Sequence, residues 1–200
     1  PVPVSSLIPL PESVSMRQGV LLEPLAVAVH AVRRAAPVDG LEILVTGGGT
    51  IGQLIGMILR AYGASKVVVS DPVPERRTLA VGLSADDVID PINDDLTGYS
   101  AGLRRGGFDA VFEASGQGAA IRQGLNGIRK GGTFCQVGTV EDNPTIPFNL
   151  IMAKELLVVG SLRYAHDFQM ALDLILQQNM DVEAIVTGEY PFEATPEAFA

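Results

Sequence analysis

The chain has 200 residues, 47% hydrophobic and 18% charged, with mean hydropathy +0.29 and a formal net charge of −9. That size and apolar content suit one globular domain, or one domain with pieces of a second. The negative charge argues against non-specific nucleic-acid binding, no apolar run reaches the 18 residues expected of a membrane span, and the single cysteine, Cys135, excludes an intrachain disulfide and points to a reducing cytoplasm.

Residues 1–16 carry Pro1, Pro3, Pro9 and Pro11 and read as extended, and with no initiator methionine the chain looks cut from something longer. A helix start around Ser13 to Ser15 leads into a helix over 16–35, with Pro24 either kinking it or opening its second half. Alternation then sets in: strand 42–46, helix 50–62, strand 66–70, helix 74–82 and strand 86–89. An acidic connection through Asp94, Asp95 and Gly98 follows. Strand 108–113, helix 118–129, strand 132–138, a loop with Pro144 and Pro147, and strand 155–160 continue the rhythm. Residues 165–178 read as a helix, 182–187 as a strand and 195–200 as a truncated helix. Six strands in this rhythm imply an α/β fold, a doubly wound six-stranded parallel Rossmann sheet with right-handed crossovers.

The turn between the first strand and its helix reads Gly47-Gly48-Gly49-Thr50-Ile51-Gly52. Gly47 permits a tight turn, Gly49 lets a pyrophosphate approach the backbone, and Gly52 lets helix and strand pack closely. The helix beginning near Thr50 aims free N–H groups at that phosphate. With 22 glycines in the chain, this spacing arises by chance in roughly one such chain in four, so the flanking strands and apolar helix carry the reading. A second near-match at Gly116 and Gly118 fails because Ile121 stands where the third glycine belongs.

Asp71 closes the next strand, where a carboxylate accepts from an adenosine ribose and repels a 2′-phosphate, which favours NAD over NADP. Arg76 or Arg77 would stack on adenine, bind a phosphate, or sit on a solvated helix face. Ligands of such sheets lie across the carboxyl ends of the strands. Here those ends are Thr46–Gly47, Asp71, Asp90, the turn Ala114, Ser115 and Gly116, the turn Val137, Gly138 and Thr139, and the segment Ser161, Leu162, Arg163 and Tyr164.

Four motifs resemble the zinc-dependent medium-chain dehydrogenases, on their sorbitol and L-idonate 5-dehydrogenase branch. They are Glu23-Pro24-Leu25-Ala26-Val27-Ala28-Val29-His30-Ala31, the glycine turn, Phe108-Asp109-Ala110-Val111-Phe112-Glu113-Ala114-Ser115-Gly116, and the stretch from Lys154 to Tyr164. The resemblance implies hydride transfer between NAD and a secondary alcohol of a polyol or sugar acid, with a zinc ion lowering the pKa of the bound alcohol. It places Ile51, Asp71 and Arg76 on the adenosine and pyrophosphate side. Val137, Gly138 and Thr139 fall at the nicotinamide end, with Ser161, Leu162 and Arg163 behind it. Arg163 and Tyr164 match positions that touch substrate hydroxyls, and Glu23 matches an acid facing the zinc. An exposed strand end is the alternative reading for Arg163 and Tyr164, and a helix N-terminal acid that for Glu23. The resemblance also implies a homo-oligomer joined through the edge strand at 156–160, between Leu156 and Gly160.

The family's zinc-ligand lobe is absent from this sequence. Cys135, His30 and His166 do not converge by spacing, and His30 lies about 10.5 Å along the helix from Glu23, so no metal site is expected and zinc belongs to the full-length protein only. The expected organisation is residues 1–36 as a residual catalytic-lobe segment with a linking helix, 37–164 as the NAD-binding domain, and 165–200 as a truncated catalytic-lobe segment. A stand-alone nucleotide-binding or redox-sensing module and a zinc-free reductase are the competing readings.

Overall fold

The computed structural model describes residues 2–4, 7–35, 37–140 and 144–199; Pro1 and the last position of the helix read at 195–200 lie outside them. Runs of β-branched and aliphatic residues form six parallel strands: β1 (Glu42–Thr46), β2 (Lys66–Ser70), β3 (Asp87–Ile89), β4 (Phe108–Glu113), β5 (Ile128–Gln136) and β6 (Leu157–Gly160). Their order is β3-β2-β1-β4-β5-β6, the doubly wound arrangement. Leu44 of β1 pairs in register with Val68 on one side and Val111 on the other. Ile43, Leu44 and Val45 are all fully buried, as a sheet covered on both faces requires.

The cover on one face comes from α1 (Met16–Ala35), α2 (Thr50–Ala61) and α7 (Phe168–Gln178), which share a core of Leu25, Val29, Ile55 and Leu172 with β1 and β2. Serine and glutamine set the start of α1: the Ser15 amide donates to Gln18 Oε1 at 2.9 Å and the Gln18 amide to Ser15 Oγ at 3.0 Å, a reciprocal cap. The helix runs on through Pro24. On the opposite face α4 (Leu96–Ala101), α5 (Gly118–Gly127) and α6 (Phe148–Lys154) cover Leu44, Val68 and Val111. Helix α3 (Pro74–Leu83) packs beside α2 and β3, and α8 (Thr195–Ala198) is a single turn.

Three stretches differ from the sequence reading. The acidic connection contains α4, started by Asp95, whose carboxylate accepts from the Gly98 amide at 3.0 Å. The loop after Pro147 contains α6, held down at its end by Lys154. The Lys154 ammonium donates to the carbonyls of Leu125, Asn126 and Ile128 at 3.0, 2.7 and 2.6 Å, capping α5, and burial pushes its pKa down. Residues 182–187, read as a strand, instead form a 3₁₀ turn, Val182–Ile185. Its β-branched content serves packing: Val182 is fully buried against the α1–α2 core.

Two buried aspartates join distant segments. Asp109 accepts from Arg129 Nε at 2.6 Å, Arg105 Nη1 at 2.9 Å and the Glu42 amide at 3.0 Å. Asp167, at the start of α7, accepts from Arg33, from His30 Nδ1 at 2.9 Å and from the Ala165 amide at 2.9 Å. Burial opposes ionisation of both, but those amides and cations outweigh it and hold each carboxyl below the ordinary aspartate range. A carboxyl ionising lower in the folded state adds stability that is whole above pH about 4 and is lost as pH falls through its folded value. The urea midpoint is therefore expected to drop between pH 4 and pH 3. The drop should be smaller in the Asp109→Asn/Asp167→Asn double variant, and an equal drop would count against these two groups as its source.

Candidate functional site

The carboxyl ends of the strands converge on the turn between β1 and α2. Gly47 leaves β1 at φ +94°, a left-handed conformation, and its amide donates to the Ser70 carbonyl at 2.8 Å. A Cβ at Gly47 would sit 2.8 Å from the Ser115 nitrogen, and one at Gly52 would overlap the Gly47 carbonyl oxygen. Only hydrogen at these positions lets strand, turn and helix meet. At Gly49, in contrast, an added Cβ would meet no atom within 4 Å. Gly49 is the N-cap of α2 and no side chain caps that helix, so its first N–H groups at Thr50 and Ile51 face open space suited to an anion. The residues present therefore fit a dinucleotide pyrophosphate.

Asp71 is buried at the end of β2. Its Oδ2 accepts from the Gly48 amide and its Oδ1 from the Val73 amide, both at 2.8 Å. Each carboxylate oxygen has a second lone pair, so these bonds orient Asp71 without exhausting it. The structure separates the two arginines. Arg77 is structural, donating to the Asp71 carbonyl at 2.6 Å and pairing with Asp90 at 3.2 Å. Arg76 is half exposed, its guanidinium 3.5 Å from Asp71 Oδ2.

At the centre of the crevice lies a residue the sequence reading did not single out, Glu113. Its side chain closes β4 and is fully buried. Oε1 accepts from the amides of Ser115 at 2.8 Å and Gly116 at 3.0 Å and from the Ser115 hydroxyl, while Oε2 accepts from Gln136 Nε2 at 2.5 Å. No lysine, arginine or histidine pairs with it among the described residues. The Glu113 carbonyl in turn accepts from the amides of Val137 and Gly138 at 2.8 Å each. One residue thus binds the turn Ala114–Gly116 to the turn after β5. Thr139 lies against Gly116, where an added Cβ would overlap the Thr139 carbonyl oxygen. A charged residue following Ala110-Val111-Phe112 of β4, just before Ala-Ser-Gly, was the available signal.

A cavity of about 230 Å³ between Thr46, Ser70, Pro91, Ile92 and Ser115 opens on one side of this turn. A second, of about 440 Å³, lies between Gly116, Arg122 and Thr139 on the other. Farther along the sheet, the Ser161 amide donates to the Gln136 carbonyl at 2.9 Å, and its buried hydroxyl has no partner among the described residues. Leu162 is exposed. Arg163 is exposed at φ +52°, and Tyr164 packs edge-on against Phe168 with ring centres 4.8 Å apart. Glu23 is exposed on α1. The structure therefore brings together the residues of β1, β2, β4 and β5, with Ser161 joined through Gln136.

Among the described residues no three histidine, cysteine or acidic side chains stand close enough to hold a metal. His30 is engaged by Asp167, and Cys135 is a core residue whose thiol burial pushes up to about 12, against a smaller opposite pull from Arg34. The described residues do not fit a zinc site. No described helix is long and apolar enough to cross a membrane.

A sequence model of the zinc-binding dehydrogenases matches residues 50–177. D-xylulose reductase A of Aspergillus niger is 33% identical over 199 residues, which cover 95% of this chain and 55% of that protein. The crystal structure of L-idonate 5-dehydrogenase from Escherichia coli aligns with TM-score 0.89 at 30% identity, covering 97% of this chain and 56% of that one. A zinc-binding dehydrogenase from Sinorhizobium meliloti bound to NADP aligns with TM-score 0.91 at 26% identity, covering 98% and 59%. The chain spans a little over half the length of these relatives. With the doubly wound sheet and its glycine turn, these matches establish that the chain belongs to the zinc-binding dehydrogenase family and represents its cofactor-binding part.

Proposed function

We propose that this chain binds NAD(H) as the cofactor portion of a zinc-dependent dehydrogenase that oxidises a secondary alcohol of a polyol or sugar acid, and that the chain alone does not turn over. The observation that carries this reading is the open, uncapped N-terminus of α2 behind Gly49, with Asp71 fixed beside it. On this reading residues 37–164 hold the dinucleotide, while 1–36 and 165–200 belong with the catalytic lobe. Thr50 and Ile51 meet the pyrophosphate. Ser115, Gly116, Val137, Gly138 and Thr139 line the nicotinamide half, and Ser161, Leu162 and Arg163 lie behind it. Glu23, Arg163 and Tyr164 face substrate or the metal held by the rest of the protein. The substrate class follows the relatives named for D-xylulose and L-idonate. One relative is bound to NADP, so the preference for NAD rests on Asp71 in this chain, whose carboxylate opposes a 2′-phosphate.

Two copies join along β6. That strand pairs with β5 on one side only, and Leu157 and Val158 are 58% and 46% exposed, an apolar edge that a partner would cover. With a buried free thiol at Cys135 and no disulfide possible within these 200 residues, a reducing cytoplasm suits the protein.

The chain has no tryptophan, so the nicotinamide fluorescence of NADH reports binding directly. Titration is expected to give a saturable NADH signal and a weaker one for NADPH. The chain is expected to oxidise no member of a polyol panel with NAD. Absence of any saturable NADH signal would sink the cofactor assignment, and robust turnover would sink the claim that the chain alone is inactive.

A further inference from the structure

Gln53 follows the glycine turn directly, in the first turn of α2, and is 1% exposed. Its amide Nε2 donates to two carbonyls, those of Gly48 and Arg76, each at 2.9 Å. The first belongs to the turn after β1 and the second to the first turn of α3. Its amide oxygen is buried with no partner among the described residues. An unpaired buried acceptor costs about 1–3 kcal/mol, which an apolar side chain in this apolar helix would not incur. Helix packing therefore does not account for a glutamine here, whereas its two donated bonds do.

Those bonds close a small frame around Gly48. A Cβ at Gly48 would lie 3.3 Å from Arg76 Cβ and 3.4 Å from both Asp71 Cβ and Gln53 Nε2. The Gly48 amide holds Asp71 Oδ2 at 2.8 Å, and the Arg76 guanidinium stands 3.5 Å from that same oxygen. One buried amide thus fixes the spacing between the phosphate turn, the acid and the arginine.

We infer that Gln53 is a positioning residue that sets discrimination between NAD(H) and NADP(H), a role that rests on the dinucleotide reading above. Gln53 acts through Asp71 and Arg76. While the Arg76 carbonyl is anchored, the guanidinium stays paired with Asp71, and a 2′-phosphate meets a carboxylate. Without the anchor, the first turn of α3 is free to move off the glycine turn. Arg76 then gains the freedom to pair with a phosphate, which its planar fork of donors favours.

The test is a pair of titrations, NADH and NADPH, on the wild-type chain, Gln53→Leu and Gln53→Glu. The ratio of Kd for NADPH to Kd for NADH is expected to fall at least about tenfold in Gln53→Leu. Gln53→Glu keeps the shape but turns a carboxylate toward two carbonyls, so the same fall is expected there, and this variant decides the matter if Gln53→Leu does not fold. A glutamine with only a structural role would weaken both cofactors equally. A ratio within twofold of wild type in the folded variants would overturn the inference while leaving the cofactor assignment standing. A wild-type chain that binds neither dinucleotide would overturn both.

Discussion

Replacing Gly52 by alanine is expected to abolish saturable NADH binding and to destabilise the chain by about 3 kcal/mol, the upper range for an overpacked interior. The added methyl group would occupy the position of the Gly47 carbonyl oxygen, which is backbone and has no rotamer to escape through. Gly47 in turn is tied to Ser70 by its amide and faces the Ser115 backbone. The turn therefore has to be displaced as a unit, and the α2 N-terminus moves with it. Gly49→Ala provides the contrast, because its Cβ meets no protein atom: stability should stay within about 1 kcal/mol of wild type while NADH affinity falls. Urea unfolding with NADH titration separates the two. Equal stability losses in both variants would refute the steric account of Gly52.

The second large effect is expected at Glu113. Truncation to alanine removes the acceptor for the Ser115 and Gly116 amides and the Gln136 side chain, all in the buried centre of the crevice. At about 1–3 kcal/mol for each stranded donor, the loss should total roughly 4 kcal/mol, with NADH binding lost alongside. Glu113→Gln keeps the volume but turns an NH₂ group toward donors already there, so it should recover less than half of that stability. A urea midpoint for Glu113→Gln equal to that of wild type would show that the carboxylate is not what holds the turns after β4 and β5.

Residue pattern made most of this architecture readable. Short β-branched runs between glycine and proline turns gave the strands, and apolar spacing in 50–61 gave α2. Helices α4 and α6 escaped because six or seven residues hold too little periodicity to register. Asp95 starts α4 through the Gly98 amide three residues on, a local cap without a periodic helix behind it, whereas the carbonyls that hold Lys154 are set by the fold. Residues 182–187 misled because β-branched residues suit any buried surface, not only a strand. The glycine turn and Asp71 were legible because a dinucleotide constrains local spacing. Glu113 and Gln53 were less so: each has local partners, the Ser115 and Gly116 amides and the Gly48 carbonyl, but only the folded sheet brings Gln136 to one and the Arg76 carbonyl to the other.

The contact between Asp167 and His30 spans 137 positions of sequence. No local segment can form it early, since closing so long a loop has an entropic cost that only the intervening sheet offsets. The clasp is therefore expected to form late, when α7 docks on α1, so Asp167→Asn should speed unfolding in urea and leave the refolding rate unchanged; slower refolding would refute this order. On that expectation Asp167 is a latch on the folded chain, governing how long the native state persists rather than how quickly it is reached.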